Sequence, residues 1–241
     1  RQGEAHAWEG ELIHTLQSAV ATDSYELYKR YSEATRRLKP IALRDLRLAL
    51  PRLTGLDRQR AESLLARPTD GNRDRFNDGY TTKATKKKCS KYVCEHWVTK
   101  TNDKPPAGWA TTTLEQMNKV WKKEIGGLGY RKPLGDGSKG GNSKLDIYLK
   151  DVGAKFLYGY CAAEQKKYKY TYAGYCVLDD DFDPSQFGGA AAINSLKVTA
   201  AHEFFHAVQY AYDAAEDPWF MESTATWMEE RYADSVNDNR Q

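Results

Sequence analysis

Residues 198–210 read Val198-Thr199-Ala200-Ala201-His202-Glu203-Phe204-Phe205-His206-Ala207-Val208-Gln209-Tyr210, a run that contains the pattern His-Glu-x-x-His. Residues four apart share one face of an α-helix, so His202 and His206 can direct imidazole nitrogens at one metal ion. Glu203 is rotated by one residue, where its carboxylate can take a proton from metal-bound water. The pattern therefore predicts a metal-binding helix with Glu203 as a general base.

The same run has the features of a helix. Asn194 or Ser195 can cap its start, and no Gly or Pro interrupts residues 195–215. Apolar side chains recur along it at helical spacing, at Leu196, Ala200, Phe204, Ala207, Val208 and Ala211. The alternative interpretation is a buried amphipathic helix whose two His are satisfied by hydrogen bonds.

A second helix is predicted after residue 217. Catalytic zinc takes three protein ligands and keeps one position for water, so two His are not sufficient. Asp217-Pro218 indicates an N-cap followed by proline at the first helical position. Glu222 lies on this helix with fifteen residues between it and His206 (222 − 206 − 1), enough for the chain to turn and return. The alternative interpretation of Glu222 is a solvated carboxylate. Glu229, farther along the same helix, can accept a hydrogen bond from a ligand His.

Two segments resemble a known family: Ala-His-Glu-Phe-Phe-His-Ala at 201–207 and Trp-Phe-Met-Glu-Ser-Thr-Ala-Thr-Trp-Met-Glu at 219–229. They resemble the gluzincin metallopeptidases, whose third ligand is a Glu that opens a Glu-x-x-Ala helix. The resemblance implies Zn²⁺ held by His202, His206 and Glu222, with Glu203 as the catalytic base. It also implies hydrolysis of a peptide or protein substrate. Tyr232 is a candidate for stabilising the oxyanion, by proximity alone.

Length and composition limit the possible functions. The 241 residues suffice for one large or two small domains, and 40% hydrophobic content suffices for a core. A net charge of +3 is too weak to indicate nucleic-acid or membrane binding, and no apolar run reaches the roughly 18 residues of a membrane span. We therefore expect neither nucleic acid nor a membrane span. The oligomeric state stays open.

The four cysteines form two local pairs, Cys89 with Cys94 and Cys161 with Cys176. Each pair lies in a segment that reads as strand, and neither has zinc-ribbon spacing near a spare His. Local disulfides in an exported domain are the simplest interpretation, with buried free thiols as the alternative. The pairs favour a secreted protein.

The chain before the His-Glu-x-x-His helix is predicted as mixed strand and helix. The predicted strands are Tyr92–Thr101, Leu145–Leu149 and Tyr168–Leu178, and the predicted helix is Thr113–Ile125. Gly126–Asn142 is Gly-rich but lacks the Lys-Ser/Thr ending of a phosphate-binding loop, so we interpret it as a surface loop. This order fits an α+β, zincin-like catalytic domain, a family in which an edge strand pairs with peptide substrate.

Residues 1–46 are predicted as a helical leader, with helices at Glu11–Val20 and Asp23–Arg37 and an end at Lys39-Pro40. This segment resembles part of bacterial glutamate synthase, through His6-Ala7-Trp8, Leu16–Val20, Tyr25–Ser32 and Leu43–Leu46. The resemblance includes none of that enzyme's nucleophile, flavin site or iron–sulfur cysteines, so it implies no activity. The alternative interpretation of residues 1–46 is a segment fused to an unrelated chain.

Residues 47–88 are predicted as a helical pro-segment and linker, interrupted at Leu53-Thr54-Gly55 and polar from Gly71 to the triple lysine at 86–88. The region from Leu43 through Tyr80, with Cys89–Cys94 after it, resembles the pro-segment and mature start of secreted actinobacterial-type metalloproteases. Residues 89–241 form the predicted catalytic domain. We expect this domain to be truncated at its C-terminus.

Four carboxylates fall within five residues after the last predicted strand, at Asp179, Asp180, Asp181 and Asp183. Clustered oxygen ligands suit Ca²⁺, although the spacing matches no EF-hand loop, and an acidic turn is the alternative. Three other functions of the whole chain stay open: a catalytically inactive or structural zinc-binding domain, a chimeric chain carrying part of a glutamate synthase, and a metal-free binding module with a Tyr-rich sheet.

Overall fold

The structure, a computed structural model, describes residues 39–71, 79–155 and 157–236. The helices predicted at Glu11–Val20 and Asp23–Arg37 lie outside the described residues. The end of the second of these helices at Lys39-Pro40 stays a prediction; within the described residues, Lys39 and Pro40 are the first two residues of the helix Lys39–Ala49. Proline is tolerated in a first helical turn, where its missing N–H is not needed.

Five α-helices and five strands are present within the described residues. The helices are α1 Lys39–Ala49, α2 Gly55–Leu64, α3 Trp109–Trp121, α4 Ala192–Tyr210 and α5 Pro218–Ala233. The strands are β1 Thr85–Cys89, β2 Val93–Val98, β3 Leu145–Lys150, β4 Gly159–Tyr168 and β5 Thr171–Asp179. A π-helical turn, Lys122–Gly127, extends α3.

The strands form one sheet in the order β1-β2-β3-β5-β4. β2, β3 and β5 pair in parallel, whereas β1 and β4 pair antiparallel at the two edges. The protein is therefore a mixed α+β fold, as predicted.

Both faces of the sheet are buried. Ile147 and Leu149 of β3 share a core with α3, α4 and α5, while Tyr148 between them points to the opposite face. There it packs in a second core with Leu53 and Ala61 of the N-terminal segment. The predicted boundaries 1–46, 47–88 and 89–241 stay predictions, although residues from 47–88 share this core with the sheet.

Two strands differ from the predictions. β1 lies in the segment predicted as a polar linker, and its five residues are exposed, as suits a lysine-rich edge strand. β4 was predicted only as a strand-like segment around Cys161, without bounds, because Gly159–Tyr168 contains no β-branched residue and no regular alternation. The predicted strand Tyr168–Leu178 begins at Thr171, since Tyr168 closes β4 and a turn at Lys169, with φ of 34°, follows it.

The two helices of the predicted metal site are present. α4 begins at Ala192, so Asn194 and Ser195 lie inside the helix and neither is its cap. α5 begins as predicted: Asp217 caps it by accepting hydrogen bonds from the backbone N–H groups of Trp219 and Phe220, and Pro218 occupies the first helical position. The predicted helix Thr113–Ile125 is α3 with its π-helical extension.

The Gly-rich loop 126–142 is not only a surface loop. Its Asp136 is buried and pairs with Arg67, which also binds Asp146 of β3 at 2.5 Å and Glu164 of β4 at 2.7 Å. Arg67 therefore ties the chain after α2, the loop and two strands together.

No helix among the described residues is both long enough and apolar enough to cross a lipid bilayer.

Candidate metal centre

α4 and α5 bring three predicted ligands to one point. His202 Nε2 and His206 Nε2 are 3.1 Å apart. Glu222 Oε2 lies 3.4 Å from Nε2 of His202, and its Oε1 lies 3.5 Å from Nε2 of His206. The Asp217 cap starts α5 one turn before Glu222, and the buried Met221, next in sequence, fixes which side of the helix faces α4.

The separations between these atoms suit a tetrahedral metal ion. Zinc ligands about 2.0–2.1 Å from the ion are about 3.3–3.4 Å from one another at tetrahedral angles. Glu222 Oε1 is buried and has no hydrogen-bond partner, which is costly for a carboxylate oxygen unless a cation binds it. The three residues therefore fit zinc.

Each imidazole is held from behind by a second side chain. His202 Nδ1 donates to Glu229 Oε1 at 2.5 Å, and His206 Nδ1 donates to Gln209 Oε1 at 2.8 Å. Gln209 in turn donates to the Met221 carbonyl at 2.8 Å, which links the ligand helices. Glu229 lies where the sequence placed an acceptor. Gln209 was missed, although its position three residues after His206 on the same helical face is a usable signal.

The charged neighbours shift the pKa values of the ligands in different directions. Burial lowers the pKa of His206 to about 4, so its imidazole is neutral, the form that binds metal. Burial also opposes the charged form of His202, but hydrogen bonds to Glu222 and Glu229 raise its pKa well above the ordinary value. The pKa of Glu222 is lowered: burial would raise it, and the neighbouring His206 and His202 outweigh that effect.

Glu203 lies beside the triad in a buried position. It is 6% exposed, and its Oε2 is buried without a hydrogen-bond partner. Burial raises its pKa to about 8, opposed by the nearby charge of His202. A cation bound by the triad would oppose this rise further, because positive charge favours the carboxylate.

Tyr232 is directed elsewhere. Its hydroxyl donates to Gln116 Oε1 of α3 at 3.0 Å, and burial, together with Glu124, raises its pKa to about 12. Its role as oxyanion stabiliser stays a prediction.

A second group of carboxylates surrounds the end of β5. One oxygen each of Asp151, Asp179 and Asp180 lies within 4.8 Å of the others. Asp151 was missed because it follows β3, far away in sequence. The Asp179 carboxylate accepts hydrogen bonds from the backbone N–H groups of Gly153 and Phe182. Asp181 and Asp183 accept hydrogen bonds from backbone N–H groups within the turn itself. Binding of Ca²⁺ stays a prediction.

Both predicted cysteine pairs lie at disulfide distance. Cys89 pairs with Cys94 across the β1–β2 hairpin, and Cys161 pairs with Cys176 between β4 and β5. The Cα atoms are 4.0 Å apart in each pair. Within the described residues no cysteine is left free.

Comparisons with known proteins give one partial match. No family model matches the chain, and no solved structure matches it. The large chain of NADPH glutamate synthase from Azospirillum brasilense is 52% identical over 46 residues, which are 19% of this chain and 3% of that protein. The resemblance of a 46-residue segment to glutamate synthase is therefore confirmed. The resemblance to gluzincins stays a hypothesis.

Proposed function

We propose that this chain is a zinc-dependent endopeptidase whose zinc is held by His202, His206 and Glu222. One observation carries the proposal: two imidazole nitrogens from α4 lie 3.1 Å apart, and each lies 3.4 to 3.5 Å from one of the two carboxylate oxygens of Glu222 on α5. The Nδ1 atom of each imidazole is already engaged by another side chain, which leaves Nε2 for the metal.

The residues around the triad supply the remaining chemistry. Bound zinc supplies a Lewis acid and lowers the pKa of a coordinated water, which peptide hydrolysis requires. Glu203 follows His202 by one residue, so its carboxylate stands beside the ligands and is not one of them. It accepts a proton as general base and then passes it to the leaving amine. Burial makes this carboxylate more basic than a solvated one.

The substrate class is a peptide or protein chain. β4 is an edge strand beside α4, and an open strand edge binds extended backbone through main-chain hydrogen bonds. In this structure Arg47 of α1 donates from Nε to the Ala163 carbonyl of β4 at 3.0 Å. α1 thus occupies part of that edge, and this contact favours a second candidate: a latent peptidase or an inactive zinc-binding domain.

We propose that the protein is secreted. The two disulfides are compatible with an oxidising compartment, where such bonds persist. The chain covers 3% of the matched glutamate synthase chain, so a chimeric origin of that segment is an alternative, and it leaves the zinc proposal unchanged.

The test is zinc content together with casein hydrolysis for wild-type protein, Glu203→Gln and Glu222→Ala, with the exposed Glu115→Gln of α3 as control. We expect about one zinc per chain in wild type, Glu203→Gln and Glu115→Gln, and weakened binding in Glu222→Ala. Hydrolysis should survive only in wild type and Glu115→Gln. Folded wild-type protein without zinc would overturn the proposal, and zinc without hydrolysis would favour the second candidate.

A further inference from the structure

The helix that carries Glu203 packs closely on the β4–β5 hairpin at two points where the hairpin has a glycine. A Cβ atom on Gly159 of β4 would lie 3.2 Å from Thr199 Cγ2. A Cβ atom on Gly174 of β5 would lie 3.3 Å from Tyr210 Cδ2 and 2.6 Å from the Ala162 carbonyl oxygen. α4 therefore rests on the hairpin along one helical face that includes Thr199 and Tyr210.

The Cys161–Cys176 disulfide fills the space between these two contacts. The two residues are directly opposite each other in the β4–β5 ladder, and both are almost fully buried. Cys161 Sγ lies 2.8 Å from the backbone carbonyl oxygen of Glu203, and Cys176 Sγ lies 3.9 Å from the same atom. A disulfide carries no S–H, so the shorter of these is a close contact between sulfur and oxygen and not a hydrogen bond. Tyr210 adds a hydrogen bond from its hydroxyl to the Cys161 carbonyl at 3.1 Å.

The zinc ligands and the general base differ in how they are held. His202 and His206 each have a second side chain, Glu229 and Gln209, that fixes the imidazole. The Glu203 carboxylate has a buried Oε2 without a hydrogen-bond partner, and it accepts a hydrogen bond from the backbone N–H of Cys161. Its position therefore depends on where α4 and β4 lie relative to each other, and the disulfide touches α4 at the Glu203 carbonyl oxygen.

We propose that the Cys161–Cys176 disulfide is a positioning element for Glu203: it fixes the height of that turn of α4 above β4 and β5. This inference rests on the proposed function, since it assigns the disulfide to turnover and not to zinc binding. Removing it leaves the imidazoles with their own partners but lets the Glu203 turn settle differently. Displacing a catalytic group by about 1 Å lowers rates by about 10²-fold.

The second disulfide is a matched control. Cys89 and Cys94 also join adjacent antiparallel strands with Cα atoms 4.0 Å apart. They lie at the opposite edge of the sheet, where Asn142 Nδ2 is 3.0 Å from Cys94 Sγ. Its removal therefore affects the stability of the β1–β2 hairpin without touching α4.

The experiment compares Cys161→Ala/Cys176→Ala with Cys89→Ala/Cys94→Ala, after circular dichroism has established that each is folded. We expect zinc content like wild type in both. In the first variant kcat falls about 10²-fold while KM stays within about twofold, and the second variant keeps both constants. The visible spectrum of the Co²⁺-substituted protein also reports the coordinated water beside Glu203, so we expect it to change in the first variant and in Glu203→Gln and to stay like wild type in the second.

Wild-type kcat and an unchanged Co²⁺ spectrum in Cys161→Ala/Cys176→Ala would overturn the inference and leave the proposed function intact. If that variant does not fold, Cys161→Val/Cys176→Ala, which keeps more of the buried volume, replaces it. Failure of both to fold would assign the disulfide a purely structural role. Absence of zinc from wild type would instead overturn the proposed function. If wild type binds zinc but does not hydrolyse casein, a Co²⁺ spectrum that changes in Cys161→Ala/Cys176→Ala supports the inference, and an unchanged spectrum overturns it.

Discussion

Glu229 accepts a hydrogen bond from Nδ1 of His202, and both side chains are mostly buried. A carboxylate behind a ligand imidazole fixes its tautomer and its direction, and loss of such a partner weakens metal binding about 10–100-fold. The sequence indicated Glu229 as an acceptor for the hydrogen bond of a ligand His. The bond itself depends on the distance between α4 and α5, which no local pattern contains.

We therefore expect Glu229→Ala to weaken zinc binding about 10–100-fold and Glu229→Gln, which keeps an acceptor oxygen, to weaken it less. The affinity is measured by competition with a chromogenic chelator. Glu115→Gln, an exposed change on α3, serves as the control and should bind zinc like wild type. Wild-type affinity in Glu229→Ala would show that the bond to His202 has no influence on the metal.

Asp180 is a buried acid whose described neighbours include the acids Asp151 and Asp179. Burial raises its pKa to about 8, reinforced by the charge of Asp179, and the pKa of Asp179 itself is raised to about 7 by burial. An unfolded Asp titrates near about 3.9. Because the folded pKa is the higher one, the stability contributed by the protonated form is present below pH about 3.9 and is lost as pH rises through about 8.

Asp180→Asn should therefore be more stable than wild type by roughly 1–3 kcal/mol at pH about 8.5 and should lose this advantage towards pH about 4. The free energy of unfolding is measured by denaturant titration across this range, with a chelator present. Asp183→Asn is the control, because a hydrogen bond from the Ser185 backbone holds the pKa of the exposed Asp183 below its ordinary value, outside this range. Equal pH slopes for wild type and Asp180→Asn would refute the assignment.

At the scale of elements, the sequence predicts best those helices and strands whose bounds are set by neighbouring residues. The start of α5 is set by Asp217 and Pro218, two adjacent residues, and the sequence predicts it correctly. β3 is visible as the alternation of Leu145–Leu149. β4 is held by its pairing with β5 and by α4 packed on its small residues, so the sequence of Gly159–Tyr168 gives only a weak indication of a strand and does not predict its bounds. Likewise α4 starts at Ala192 without a side-chain cap, because packing and not capping stabilises it.

The candidate site divides in the same way. His202, Glu203 and His206 follow from spacing within one helix. The prediction of Glu222 as a ligand depended on the resemblance to a family, because its approach to the two His depends on how α5 returns along α4. Asp151 lies near Asp179 and Asp180 only because β3 pairs in parallel with β5. No pattern near Asp151 in the sequence predicts that pairing.

At the scale of the whole molecule, Arg67 joins parts of the chain that are far apart in sequence. Its guanidinium is 2% exposed and pairs with Asp136, Asp146 and Glu164. Removing one partner of a buried ionic network leaves uncompensated charges and costs about 3–5 kcal/mol. The predicted pro-segment thus contributes the positive charge that three acids of the predicted catalytic half require.

We expect Arg67→Met to lower the free energy of unfolding by about 3–5 kcal/mol, because three buried carboxylates lose their pairing with Arg67 and only Glu164 keeps a lysine, Lys139, beside it. Arg58→Met is the control: its exposed pair with Glu62 on α2 should contribute less than about 1 kcal/mol. Both are measured by chemical denaturation. Similar losses in the two variants would contradict the view that Arg67 connects these parts.

X-ray absorption at the zinc edge, on purified wild-type protein, tests the central claim most directly. The account predicts about one zinc per chain with two imidazole nitrogens and carboxylate oxygen in its first coordination sphere, at about 2.0–2.1 Å, and loss of the carboxylate contribution in Glu222→Ala. A folded wild-type protein that binds no zinc, or zinc bound through sulfur, would contradict it.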